Sequence, residues 1–463
     1  MTTQSFRLAT RVERPAAEVF AWHLRPGAFA RLQPPWEWVE LPDGHAGVTE
    51  GSRVNVRTRL GPIALDWEVE HRDVITGRQF CDVMRRGPFV AWTHTHRFEP
   101  AGETASLLVD EVDYRLPAGR VGRLVAGNWV RRKLERLFAY RHAVTKGDLE
   151  LPAGTGRPQR ILLAGGSGLI GSMLGPFLQT QGHEVWRLVR RPPRTPNEIF
   201  WHPATGELAA RLLVDIDAVV NLAGANVAAG RWNVPRRAAI RDSRVQATRT
   251  LAGAFARMAR PPPLWINASA TGWYGDRGDE ELTEGSGPGT GFLAGVCQDW
   301  ERAAAEPWAG RTVILRFGVV LTPAGGALAK MLPAFRAGVA GRLGSGRQWL
   351  SWITPDDLLG AIQAVLRHPE WRGAFNVVAP APVRNAEFTA ALARRVRRPA
   401  VLPVPAPALR LLFGAMADET LLASSRVQPR RLLENGFRFR HPDLESGLRH
   451  VLGQAGQAGR NGP

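Results

Sequence analysis

Between residues 53 and 116 the chain alternates apolar and polar positions in short runs: RVNVRTRL, IALDWEVEH, QFCDVM, FVAWTHTHRF and SLLVDEVDYRL. Turn signals such as GP and AGE separate them. Alternation with a period of two puts one face against a core and the other in water, so these runs predict antiparallel strands. A short helix is predicted over 15–23, PAAEVFAWH, where proline suits the entry and Ala16, Val19 and Phe20 share a face. A longer helix is predicted over 128–144, NWVRRKLERLFAYRHAV, with Val130, Leu134, Leu137 and Phe138 on one side and arginines on the other. Beyond residue 158 the pattern changes. Apolar runs in RILLAGG, HEVWRLVRR, LLVDIDAVVNLAGA, INASA and TVILRFGVVL alternate with helical segments. That alternation predicts a doubly wound, mostly parallel α/β sheet.

The boundaries follow from these patterns. Residues 1–147 are expected to form one α+β domain, and the Gly/Pro-rich 148–158 a linker. An α/β domain is expected over 159–400, a small domain over 401–452 and a disordered tail over 453–463. No apolar run is long enough to span a membrane, and MTTQSFRLATRVERP lacks an uninterrupted apolar stretch of the signal-peptide kind. With only two cysteines, Cys81 and Cys297, a reduced cytoplasmic protein is expected.

The net charge of +18 lies almost wholly after residue 150. A positive field attracts anions such as phosphorylated cofactors. Nearly all of the basic residues are arginine, so compositional bias is the plainer account, and no nucleic-acid-binding signature accompanies it.

The order of elements in the first region, a short helix, several strands and a long final helix, resembles the START-like (SRPBCC) helix-grip fold. The resemblance implies a curved sheet around the last helix and an apolar or amphipathic ligand between them. A filled core with no ligand is the alternative. His94 and His96, two apart on a strand, share a face, and His71 or Asp66 could complete a metal set. Solvated or hydrogen-bonded histidines are the plainer reading, so no metal is expected.

The segment 160–171 reads RILLAGGSGLIG. A strand runs into Gly165, Gly166, Ser167 and Gly168, and a helix begins at Leu169, Ile170 and Gly171. The first glycine of Gly165-x-x-Gly168-x-x-Gly171 allows a tight turn, the second lets backbone approach a pyrophosphate, and the third lets helix and strand pack. The next strand ends in Arg190 and Arg191 rather than an acidic residue, so a ribose 2′-phosphate, and hence NADP(H), is the expected choice. A third strand ends in Asn221, Leu222, Ala223 and Gly224, small enough to lie against a cofactor.

The run of GGSGLIG, NLAGA, RWNVPRRAAIRDSRVQATRTL, ASATGWYGDRGDE, LRFGVVL, GRQWLSWITPDDL, FNVVAPAP and SSRVQPRRLLENGFRF resembles the epimerase-like branch of the extended short-chain dehydrogenase/reductases. The resemblance covers about 158–452. It implies an α/β Rossmann-like fold with NADP(H) contacts on the glycine loop, Arg190, Arg191, Leu222, Ala223, Arg244 and Val319.

Members of that superfamily carry a Tyr-x-x-x-Lys pair. Alignment of the carrying elements puts Leu293 and Cys297 there instead. Tyr274 and Lys330 are the only tyrosine and lysine after residue 150, too far apart to substitute. Ser269, Tyr274, the acids Asp276, Asp279 and Glu280, and Cys297 remain as candidate proton carriers, with Ser269 and Tyr274 preferred. Two readings follow: an oxidoreductase or epimerase-like enzyme with an atypical site, or an NADP(H)-binding regulatory module without turnover. Polyketide or lipid binding by the first domain is a third and weaker one.

Overall fold

The computed structural model describes residues 3–42, 44, 47–152, 157–305 and 310–454. The expected disordered tail therefore falls mostly outside the described residues. The chain divides into two compact units, one built on Met1–Ala153 with Gln179–Gly182 and Arg449–Pro463, the other on Gly154–Leu178 with His183–Leu448. No helix among the described residues is long and apolar enough to cross a membrane.

The first unit is a seven-stranded antiparallel sheet and three helices. Its strands are β1 (Gln4–Val12), β2 (Val39–Glu40), β3 (Arg53–Leu60), β4 (Ile63–Ile75), β5 (Gln79–Arg86), β6 (Ala91–Pro100) and β7 (Ser106–Arg115). They pair in the order β1-β7-β6-β5-β4-β3-β2, so the first strand closes onto the last. The alternating runs all became strands; β1 and β2 are additions. The helices are α1 (Ala16–Leu24), the single turn α2 (Ala28–Arg31) and the long α3 (Gly119–Leu149). Helix α3 starts nine residues before the expected Asn128, because Gly122 and Gly127 are carried inside it, and it ends at Leu149, inside the expected linker. Val130, Leu134 and Phe138 of α3 are buried against Phe6, Val112 and Tyr114 of the sheet. Phe6 and Phe138 stack with centroids 5.4 Å apart.

The second unit holds an eight-stranded sheet: β8 (Arg160–Ala164), β9 (Glu184–Val189), β10 (Glu198–His202), β11 (Glu207–Leu208), β12 (Ala218–Asn221), β13 (Leu264–Ala270), β14 (Arg311–Phe317) and β15 (Gly373–Val377). The order is β11-β10-β9-β8-β12-β13-β14-β15, parallel throughout except for β10–β11. Strand order reverses between β8 and β12, and the crevice at such a reversal is where open α/β sheets bind ligands. Helices α4 (Leu169–Thr180, apart from its last two residues), α5 (Val234–Phe255), α6 (Phe292–Ala304), α7 (Gly326–Arg336) and α8 (Pro355–Arg367) belong to the same unit. Every residue of β12 is buried, as a strand covered on both faces must be. Leu162, Val219 and Trp265 of the sheet pack with Leu251 and Phe255 of α5.

Candidate functional site

The crevice at the strand reversal is built from backbone. Strand β8 is buried from Ile161 to Ala164 and runs into Gly165, whose φ of +81° only glycine adopts without strain. A Cβ there would stand 2.7 Å from the carbonyl carbon of Leu222 and 2.9 Å from the nitrogen of Ala223. A Cβ on Gly171 would meet the Gly165 oxygen at 2.3 Å. The loop is thus pressed against the chain that leaves β12, and the start of α4 against the loop. Ser167 and Gly168 stay exposed and Gly165, Gly166, Leu169 and Ile170 half-buried. The first amides of a helix lack intrahelical acceptors, so this end of α4 can receive an anion.

Asn221 holds the opposite wall. Its amide donates to Asn267 Oδ1 (2.7 Å) and Thr248 Oγ1 (3.0 Å), and its Oδ1 accepts from the Ala223 amide at 3.2 Å. This fully buried network fixes the path of Leu222, Ala223 and Gly224. Arg244 on α5 donates to the carbonyls of Ala225 (3.1 Å) and Ile240 (2.8 Å), and its guanidinium lies 5.1 Å from the Trp300 ring centroid. Burial lowers its pKa. Val319 follows β14 and donates its amide to the Ser351 carbonyl.

The two arginines expected to meet a 2′-phosphate are not equivalent. Arg190 is exposed and has no hydrogen-bond or ion-pair partner among the described residues. Arg191 is clamped to Glu198 on β10 by two hydrogen bonds of 2.8 and 2.7 Å. The hydrogen bond from Arg191 and the Arg194 amide hold the Glu198 carboxyl down at about 2.

Ser269 stands at the end of β13, almost wholly buried, and its hydroxyl donates to Glu301 Oε1 on α6 at 2.6 Å. The same carboxylate accepts two hydrogen bonds from Arg316 of β14, both at 2.9 Å. Burial pulls the Arg316 guanidinium down, but its hydrogen bonds and charge pairing with Glu301 more than reverse this. Glu301 is not among the proton carriers expected from the sequence. The available signal was its spacing: Leu293, Cys297 and Glu301 recur every four residues and share a helix face.

Tyr274 is fully buried. Its hydroxyl contacts the Thr283 carbonyl (2.9 Å) and Asn376 Oδ1 (2.8 Å) and accepts from Arg316 at 3.0 Å. Burial raises the phenol further from neutrality. Cys297 lies close to Gly272 and the Ala270 carbonyl, and burial pushes its thiol up to about 11. Leu293 contributes its amide to Glu419, whose carboxylate caps the start of α6. The acidic loop is a brace. Asp276 accepts from the Ser424 and Gly278 amides, Asp279 from Trp349 and Arg384, and Glu280 pairs with Arg277. Lys330 on α7 donates to the Ala228 carbonyl.

Comparison with known proteins agrees with this architecture. The NAD dependent epimerase/dehydratase family model matches residues 161–378, and a Domain of unknown function (DUF1731) matches 404–451. An epimerase family protein of Mycobacterium bovis is 44% identical over 298 residues, which is 64% of this chain and 98% of that protein. Among solved structures, the nucleoside-diphosphate sugar epimerase from Corynebacterium glutamicum aligns with a TM-score of 0.78 at 33% identity, covering 97% of this chain and 90% of that one. Human epimerase family protein SDR39U1, solved with NADPH, aligns with a TM-score of 0.59 at 34% identity, covering 63% and 98%. The likeness to the Corynebacterium protein thus takes in both units, and the human one about the span of the second. This chain therefore belongs to the epimerase family of NAD-dependent epimerases and dehydratases, in the branch that ends in the DUF1731 domain.

Proposed function

We propose that the second unit binds NADP(H) and acts as an oxidoreductase or epimerase-like enzyme on a hydroxyl or carbonyl substrate, with Ser269 and Glu301 moving the proton. The carrying observation is the crevice between Gly165–Gly171 and Leu222–Gly224, where added Cβ atoms would collide with backbone. In this reading the glycine loop and the start of α4 hold the pyrophosphate, Arg190 meets the 2′-phosphate, and Arg191 is a positioning residue fixed by Glu198. Leu222, Ala223, Gly224, Arg244 and Val319 line the remainder. The NADPH bound by the human relative supports the choice of cofactor. When bound, the nicotinamide supplies or accepts a hydride.

The proton route follows from the direction of one hydrogen bond. Ser269 spends its hydroxyl hydrogen on Glu301, so toward substrate its oxygen is an acceptor. It suits a substrate hydroxyl, whose proton passes to Ser269 Oγ while the serine proton passes to Glu301. Arg316 orients that carboxylate. The catalytic role expected of Tyr274 is not kept, because its hydroxyl is consumed inside the core. Replacement of the Tyr/Lys pair by Leu293 and Cys297 favours a second reading, a cofactor-sensing module without turnover.

The first unit is proposed to be of helix-grip type and to take a small ligand; its antiparallel sheet and 31-residue helix support this.

The test is turnover of NADP+ with an alcohol panel and of NADPH with the matching carbonyls. Turnover lost in Ser269→Ala with cofactor affinity retained supports the relay. Cofactor binding with no turnover across the panel supports the sensing module.

A further inference from the structure

The first unit contains a buried polar cluster that the reading above does not use. Sheet register creates it. Asp82 on β5 is paired across the strands with His71 on β4 and His94 on β6, and one rung along, His96 on β6 is paired with Asp110 on β7. Positions two apart on a strand share a face, so Asp82, His94, His96 and Asp110 converge on one side of the sheet. Helix α3 adds His142, whose Nε2 lies 2.6 Å from Asp110 Oδ2. His71, His94, His96, Asp110 and His142 are all buried, and the Asp82 side chain is 24% exposed.

We propose that Asp82, His94 and His96 bind one divalent transition-metal ion of the zinc class. Asp82 Oδ2 is 3.4 Å from His96 Nε2 and 3.7 Å from His94 Nδ1, and ligand atoms of all three residues lie within 4.8 Å of one another. Bonds of 2.0–2.2 Å to a tetrahedral zinc put neighbouring ligand atoms about 3.3–3.6 Å apart. The two distances to Asp82 Oδ2 already stand near that spacing, and a fourth position is left for water or an exogenous ligand.

The outer groups fit the same reading. A metal on His94 Nδ1 requires the proton on Nε2, which faces Asp110 Oδ1 at 2.7 Å. A metal on His96 Nε2 requires the proton on Nδ1, which lies 2.7 Å from the same oxygen. That second contact is an ion-pair approach that lacks hydrogen-bond alignment, and the buried His71 Nε2 has no hydrogen-bond partner among the described residues. His71 Nδ1 contacts Asp82 Oδ1 at 2.8 Å. A carboxylate behind each metal-binding histidine, and a partner behind the metal-binding carboxylate, is the usual outer arrangement of such sites. A dication would also balance the two aspartates with both imidazoles neutral. The Asp66 considered from sequence is instead on the surface, paired with Arg57 at 2.6 Å. The rival is a metal-free network, in which protonated histidine and Arg141 on α3 balance Asp82 and Asp110.

The test uses the full chain without a polyhistidine tag, stripped by chelator and titrated with Zn2+ or Co2+. The expected result is one equivalent bound, with the visible absorption of a low-coordinate Co2+ site, undiminished by excess Mg2+, which prefers oxygen ligands. His94→Gln and His96→Gln, checked for folding by circular dichroism, should each lose at least about 100-fold in affinity, and Asp110→Asn about 10- to 100-fold. Should a variant misfold, absence of stoichiometric binding to the wild-type chain still overturns the assignment. Absence of stoichiometric binding, or binding unchanged in folded His94→Gln and His96→Gln, would overturn the assignment.

Discussion

The two ends of the crevice in the second unit are built on different principles. At the nucleotide end the constraint is backbone: Gly165 and Gly171 have no room for a Cβ, and the Asn221 network fixes the facing strand end. At the chemical end the constraint is side chains, and these are unusual. The resemblance in sequence expects tyrosine and lysine where Leu293 and Cys297 fall, while Ser269 is tied to Glu301, which Arg316 also holds. Backbone shape tolerates few substitutions, whereas a proton route can be rebuilt from other side chains. On the proposed reading, the comparison teaches that a cofactor site can stay recognisable while the chemistry beside it is exchanged.

The largest effect should come from filling the backbone end. Gly165→Val places a branched side chain at positive φ against Leu222, and NADPH affinity should fall at least about 100-fold, close to 3 kcal/mol. Nicotinamide fluorescence reads this, and an affinity within threefold of wild type would break the comparison at its firmer end. At the chemical end, Ser269→Ala should lower kcat about 100-fold, the scale of general acid–base catalysis, with NADPH Kd nearly unchanged. Glu301→Gln should follow it in kcat, and a larger change in Kd than in kcat would assign Glu301 to architecture instead.

Smaller effects sharpen the roles. Arg190→Ala should weaken NADPH about 10-fold or more and leave NADH unaffected, since a charge-assisted hydrogen bond is worth about 1.5–3 kcal/mol. Arg191→Ala should do less, because Arg191 already holds Glu198. The least change is expected at Cys297. With its thiol pushed up to about 11 by burial, the thiolate is scarce at pH 8, and alkylation should accelerate roughly tenfold per pH unit until the pH nears that value. Fast labelling at pH 7, read by mass spectrometry, would show a reactive cysteine.

Much of the fold was legible because periodicity reports burial directly. The runs at 53–60, 79–84 and 106–116 became β3, β5 and β7, and RILLAGG became β8 and its loop. The close approach of the glycine loop to Leu222 and Ala223 was legible too, since each of the two segments is short, contiguous and shape-bearing. The remaining features depend on register or on partners distant in sequence. Glu301 meets Ser269 from 32 residues away, and Asp82 faces His94 only once β5 and β6 are aligned. Tyr274 looked available in a WYG turn, but Thr283, Asn376 and Arg316 take its hydroxyl. Arg191 looked equal to its neighbour until Glu198, on the next strand, claimed it.

The most direct test of the account is a titration of the full chain with NADPH and NADH, followed by nicotinamide fluorescence. Saturable NADPH binding at least about tenfold tighter than NADH, with the preference lost in Arg190→Ala, is the predicted result. Failure to bind either cofactor, or equal affinity for both, would contradict the reading of the crevice as an NADP(H) site.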